Sequence, residues 1–177
     1  MPMISKQKQQ RAAAHVSHFE ATNDVNVEFC VVLGSHASGT AHEDSDVDML
    51  SVHSEARKAS YCTLTDRRDR LEVTYEDGEF EIESWSVQNL LSLLSESNEM
   101  ALQVLQTPIV IRNSMLRLRL KSYMVENHSL LKLYHSYRSK AKNNYKQYIE
   151  SGQRQTVKKN TFVLIAALKA AYMRRVG

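Results

Sequence analysis

Leu33-Gly34-Ser35-His36-Ala37-Ser38-Gly39-Thr40-Ala41-His42-Glu43-Asp44-Ser45-Asp46-Val47-Asp48 is the stretch on which the reading of this chain turns. To its left, Val27-Glu28-Phe29-Cys30-Val31-Val32-Leu33 is rich in β-branched and aromatic residues, which predicts a buried strand ending at Gly34. A turn of small residues follows, then an acidic loop. Val47-Asp48-Met49-Leu50-Ser51-Val52 reads as the next strand, beginning at or just before Asp46.

Asp46 and Asp48 are two apart, so on a strand both project from the same face. Neighbouring carboxylates repel each other unless a positive charge lies between them. A divalent cation answers that need, and hard carboxylate oxygens suit Mg²⁺ or Mn²⁺. Gly34 has no Cβ, so a phosphate can approach the backbone there, and Ser35 offers a hydroxyl and an amide N–H to a phosphate oxygen. A short helix beginning at the turn would add its amide groups to that site. A triphosphate held in this way presents its α-phosphorus to two ions, which in such sites stand ~3.5–4 Å apart.

Three other readings of the stretch fail on particular residues. Gly34 and Gly39 have the spacing of a P-loop, but Thr40 follows where the phosphate-binding lysine is required. Asp44, Asp46, Asp48 and Glu55 fall at ligand positions of a calcium loop, yet Met49 stands where a glycine must turn the chain. Neither Ser35 nor Ser38 has the flanking glycines of a nucleophile elbow. A Gly-Ser turn or an Asp-x-Asp pair is commonplace alone. Strand, Gly-Ser, a ten-residue spacer and Asp-Val-Asp entering a second strand form a far more specific combination.

Working outward, residues 5–21 predict a helix. Arg70–Tyr75 and Glu79–Glu83 predict a hairpin around Glu76-Asp77-Gly78, with Phe80 and Ile82 on one face and Glu79, Glu81 and Glu83 on the other. A third carboxylate from an adjacent strand would complete the site, and Glu81, central in its arm, is the choice. From Ser86 the period turns helical, with a leucine stripe at Leu90–Leu94 and a second short helix through Met100–Leu105. Pro108–Ile111 is a short extended piece, and helices are expected over 114–125, 128–150 and 157–175, broken at Asn127-His128 and Ser151-Gly152. The expected fold class is α+β: a small mixed sheet with its N-terminal helix over 1–111, then a basic helical region over 112–177.

The net charge of +3 conceals an asymmetry. Residues 1–111 carry 8 Lys/Arg against 18 Asp/Glu, whereas 112–177 carry 15 Lys/Arg against 2 Asp/Glu. The first half suits cations and the second suits polyanions such as phosphates or nucleic acid. Four tyrosines on the long helix, Tyr134, Tyr137, Tyr145 and Tyr148, suit packing on a neighbouring helix better than base stacking. His36 and His42 flank the motif as loop residues, and Trp85 reads as core. The two cysteines, Cys30 and Cys62, make neither a disulfide framework nor a zinc site. The polar N-terminus lacks the apolar core of a secretory signal. The longest apolar run, Phe162–Leu168, falls well short of the roughly 20 residues of a membrane span. A soluble, cytoplasmic protein without membrane contact is the expectation.

With these residues in place, the chain resembles the nucleotidyltransferases of the DNA polymerase β superfamily. More narrowly, it resembles the YcgL or RNA-ligase-associated (RlaP-like) predicted nucleotidyltransferases over nearly its whole length. The matching residues are Gly34-Ser35, Ala37, Gly39 and Asp44–Asp48, then Tyr61 and Leu64, then Glu81 through Trp85 to Ser97-Asn98 and Pro108–Val110. They continue with His135, Tyr137, Ala141, Asn144-Tyr145 and Tyr148, and close with Lys158-Lys159, Phe162 and Ala167–Lys169. The resemblance implies that Asp46 and Asp48 bind two metal ions, that Glu81 binds one of them, and that Lys159 contacts phosphate. It supports Glu81 because the family's third acid lies four residues before the tryptophan. Four positions depart from the family pattern: Glu81 replaces Asp, His36 replaces a common Arg, Ser38 replaces a common aromatic residue, and Lys169 replaces an Arg fork with a point charge.

The reaction these residues imply is transfer of a nucleoside monophosphate from an NTP to a hydroxyl, with an RNA end as the favoured acceptor. A protein side chain is the rival acceptor. A weakened member that binds nucleotide or RNA and regulates a partner is the non-enzymatic rival.

Overall fold

The computed structural model describes residues 4–42, 45–56, 68–150 and 156–176, with the side chains of Asp77 and Lys158 left out. Expectations that fell on Glu43, Asp44, Tyr61, Cys62, Leu64, the Ser151-Gly152 break and the Lys158 side chain lie outside the described residues. Helix α1 spans Lys6–Asn23, started by the Ser5 hydroxyl, which accepts from the Lys8 amide, and ended by Asp24 in a left-handed conformation. Strand β1 is Val25–Val32, and a single helical turn, α2, occupies Gly34–Ser38. Strands β2 (Val47–Glu55), β3 (Arg70–Tyr75) and β4 (Phe80–Ser86) follow. Then come α3 (Val87–Ser95), α4 (Glu99–Gln106), β5 (Val110–Arg112), α5 (Met115–Asn127), α6 (Leu130–Tyr145) and α7 (Val157–Val176). A π-helical turn at Lys146–Glu150 prolongs α6.

The strands form one mixed sheet in the order β3-β4-β2-β1-β5. β2 runs parallel to β4, and the remaining pairs are antiparallel. The protein is therefore α+β with a small mixed sheet.

Alternation along the strands gives the sheet two apolar faces, each with its own cover. Val47, Met49, Phe80 and Ile82 pack with Ala12, Val16 and Phe19 of α1. Leu50, Val52 and Trp85 face the other way and pack with Leu90, Leu94 and Leu105 of α3 and α4. That second cluster also takes in Met124 of α5, Leu133 and Tyr137 of α6, and Ala170 of α7. Buried Arg117 ties α5 to the end of α4 by donating from one guanidinium nitrogen to the carbonyls of Leu105 and Thr107, each at 2.9 Å. Asp46 and Asp48 share the parity of Leu50 and Val52, so they lie on the face covered by the later helices.

One expectation needs correction. Glu79 does not share the face of Glu81 and Glu83, because the 3-10 turn at Glu76–Gly78 leaves Glu79 with helical backbone angles. Its carboxylate turns instead to α1, where Arg11 donates to it at 2.5 Å and Lys8 approaches to 3.4 Å.

Candidate functional site

The ends of β1 and β2 are tied where the motif begins: the Leu33 amide donates to the Asp48 carbonyl at 2.8 Å. Gly34 then turns the chain with φ +60. In that conformation its α-carbon lies against the Asp48 carboxylate, and a Cβ built there would stand 2.8 Å from Asp48 Cγ. Ser35 follows inside the turn, its Oγ buried and without a hydrogen-bond partner among the described residues. A buried hydroxyl in that state is unusual and calls for a partner from outside the chain, a water or a ligand oxygen. Ser38 Oγ donates back to the Gly34 carbonyl at 3.0 Å, and the Thr40 amide donates to the Ser35 carbonyl at 2.9 Å. The ring of His36 reaches the Ser45 carbonyl at 3.3 Å, so this side chain braces the loop.

Asp48 sits directly beside Glu81 in the parallel β2–β4 register. The two rival glutamates of that arm are engaged elsewhere. Glu79 is held by α1, and Glu83 accepts from the Trp85 indole at 2.6 Å. Burial and neighbouring charge act on Glu81. A hydrogen bond with the carboxyl of Glu72, then burial, then the charges of Glu72, Asp48 and Asp46 raise its pKa above the usual carboxylate range. Among the described residues, no three ligating side chains stand together at metal-binding distance.

Asp46, Asp48, Gly34 and Ser35 line a cleft of about 600 Å³ between the strand ends and helices α4, α6 and α7. Its far wall carries Glu99 and Met100, Lys140 and Asn144, Tyr148, and Phe162, Ile165 and Lys169. Lys140 Nζ stands 3.2 Å from the Glu99 carboxylate, and Lys169 Nζ stands 3.7 Å from it. Beneath them, burial and then the Glu99 charge push the Tyr137 hydroxyl up to about 12. Lys159 is not among the lining residues. Its ammonium lies 5.0 Å above the ring of Tyr148, at the rim of the cleft.

The donor set suits a divalent cation: hard carboxylate oxygens on one wall and a serine hydroxyl beside them. The space expected at Gly34 for a phosphate is instead taken by the Asp48 carboxylate. Glu99, Lys140 and Gln103 were not legible as site residues. The concentration of lysines in the last third was visible, but no motif announced which of them would meet a glutamate.

The sequence pattern of the RNA repair pathway DNA polymerase beta family, RlaP, matches residues 8–177. The chain belongs to that family. That family's description places the chain among the DNA polymerase β-type proteins. This RlaP chain is 27% identical to the uncharacterized protein YcgL of Bacillus subtilis (strain 168) over 174 residues, covering 95% of the chain and 64% of YcgL. It therefore spans somewhat less than two thirds of that relative. A nucleotidyltransferase-like protein of Exiguobacterium sibiricum 255-15, known from a crystal structure, aligns with 96% of the chain and 58% of its own length at a TM-score of 0.45 and 13% identity. Among the described residues of this RlaP member, no helix is long and apolar enough to cross a membrane.

Proposed function

We propose that the chain is a metal-dependent nucleotidyltransferase that moves a nucleoside monophosphate from an NTP to a hydroxyl at an RNA end, releasing pyrophosphate. The observation that carries this reading is the pairing of Asp48 with Glu81 in the β2–β4 register, beside a cleft that Asp46 and Asp48 line with a Gly34-Ser35 turn whose hydroxyl has no partner among the described residues.

Asp46 and Asp48 would hold two Mg²⁺ or Mn²⁺ ions, and Glu81 one of them. Bound there, the ions would lower the pKa of the attacking hydroxyl and offset the charge of the leaving pyrophosphate. Ser35 Oγ and its amide would bind a phosphate oxygen, and Gly34, lacking a Cβ, lets the Asp48 carboxylate lie close beside that turn. Glu81, with its raised pKa, is suited to take the proton of the acceptor hydroxyl. Lys159 would reach the phosphates from the rim past Tyr148. The family's description and the basic second half of the chain favour RNA as the acceptor.

The test is incubation of the purified protein with each labelled NTP, Mg²⁺ or Mn²⁺, and short RNAs, beside Asp46→Ala and Asp48→Ala. Label on RNA that both variants lose is the expected result. Label on the protein itself would point to an AMP transferase of protein side chains. Nucleotide binding without any transfer would overturn the enzymatic reading in favour of a regulator.

A further inference from the structure

Glu99 opens α4, whose first turn is capped by the Asn98 side chain, which accepts from the Met100 and Ala101 amides. Its carboxylate is only 13% exposed, although both of its partners are lysines about half exposed. Lys140 comes from α6 and Lys169 from α7, so one carboxylate gathers cations from two helices. Lys169 is further steadied 5.1 Å above the ring of Tyr137. All three charged groups line the cleft shared with Gly34, Ser35, Asp46 and Asp48.

We propose that Glu99 is a positioning residue that sets Lys140 and Lys169 as one subsite for the phosphate chain of the nucleotide. The inference deepens the nucleotidyl-transfer reading and rests on it for the identity of the anion. Two ammonium groups on four-carbon stems repel each other and swing apart, and each must be ordered again when an anion binds. A carboxylate between them offsets part of the repulsion and orders both in advance. Two cations against one anion leave the trio positive, so it still attracts phosphate. The opposite wall is acidic, which would leave a triphosphate without cations on the side away from the metal ligands. As mere staples between helices, exposed lysine pairs of this kind contribute little to stability.

Calorimetry with inorganic tripolyphosphate, without divalent metal, compares wild type with Glu99→Ala and Glu99→Gln. Steady-state kinetics on the same proteins separates the KM for NTP from kcat. The expected result is tripolyphosphate binding weakened about tenfold in Glu99→Ala, with KM raised to match and kcat little changed. Glu99→Gln keeps a carbonyl oxygen for one lysine and nearly the same shape, so its loss should be about threefold. It also serves as the readout should the alanine variant fold poorly. Unchanged or tighter tripolyphosphate binding in a folded Glu99→Gln or Glu99→Ala overturns the proposal, because the carboxylate would then be only a staple or a competitor. A wild type that transfers no nucleotide yet binds tripolyphosphate through Glu99 keeps the subsite and sinks the enzymatic reading. Robust transfer with KM indifferent to Glu99 does the reverse.

Discussion

The carboxylate of Asp48 occupies the space that a Cβ on Gly34 would fill. The glycine that opens α2 is thus required by the metal-ligand candidate on β2. Gly34→Ala combines two faults, a left-handed residue at φ +60 costing about 1–2 kcal/mol and a methyl group that displaces the carboxylate. Transfer should fall at least about a hundredfold, since small misplacements of catalytic groups cost that much. Gly39→Ala is the control. Its φ is +74 but its Cβ would meet nothing within 4 Å, so it should lose similar stability and keep most activity. Equal loss of kcat/KM in the two variants would defeat the argument.

Glu81 rather than Glu79 or Glu83 should carry catalysis. Glu81→Gln is expected to lower kcat about a hundredfold or more, while the other two changes stay within a few-fold. The stability effect has the opposite sign. A carboxyl whose pKa is raised on folding stabilises below its ordinary range and loses that contribution as pH rises through the raised value. At pH 8 without metal, the ionised group meets Glu72 and Asp48 across the strands. Glu81→Gln donates an N–H to Glu72 without needing a proton, so its metal-free Tm should rise. A scan of Tm at pH 5 and pH 8 for both proteins measures this, and a lower Tm at pH 8 for the variant counts against it.

Much of this was legible in the residues, because short-range rules governed it. The β-branched run before Gly34 forms β1, though the strand begins at Val25, because the left-handed Asp24 ends α1 directly before it. The parity of Asp46 and Asp48 sets their face, and the leucines of α3 set its core side. Register across the sheet was not legible. That Asp48 falls opposite Glu81 depends on a parallel pairing whose connection runs over residues 56–79 and includes β3. Glu79 was misread because alternation was extended one residue into a helical turn. The Glu99 cluster escaped notice for another reason: it joins three helices far apart in the chain, and no local pattern encodes such a meeting.

His53 predicts an acid limb in stability. It is fully buried, with Nδ1 2.8 Å from Ser84 Oγ and Nε2 3.0 Å from the Arg68 carbonyl. Burial, the leading cause, lowers its pKa. The unfolded chain then takes up a proton below about pH 6.5 that the folded chain refuses, so stability is full above that pH and declines as pH falls. His15, half-buried against Tyr75 and lowered by burial and Arg11, acts in the same direction. Denaturant titrations from pH 7.5 to pH 5 should show a falling midpoint, and the His53 ring resonances should titrate well below those of a free histidine. A His53 ring that protonates near pH 6.5 would remove the basis for the prediction.

If RNA is the acceptor, its binding should be governed by charge in a way that nucleotide binding is not. Arg138 and Lys142 are exposed on α6, and Lys146 is exposed on the π-helical turn that prolongs it. None of them lines the cleft. Each phosphate they engage should add about −0.7 to the slope of log affinity against log salt for a single strand. The triple change Arg138→Glu, Lys142→Glu and Lys146→Glu should therefore raise the KM for RNA more than about tenfold and flatten its salt dependence. The KM for NTP should barely move, because the carboxylates, Ser35 and the Glu99 cluster are untouched. A KM for RNA that ignores both salt and the three reversals would place the acceptor elsewhere, on a protein hydroxyl or a small molecule reached without the basic helices.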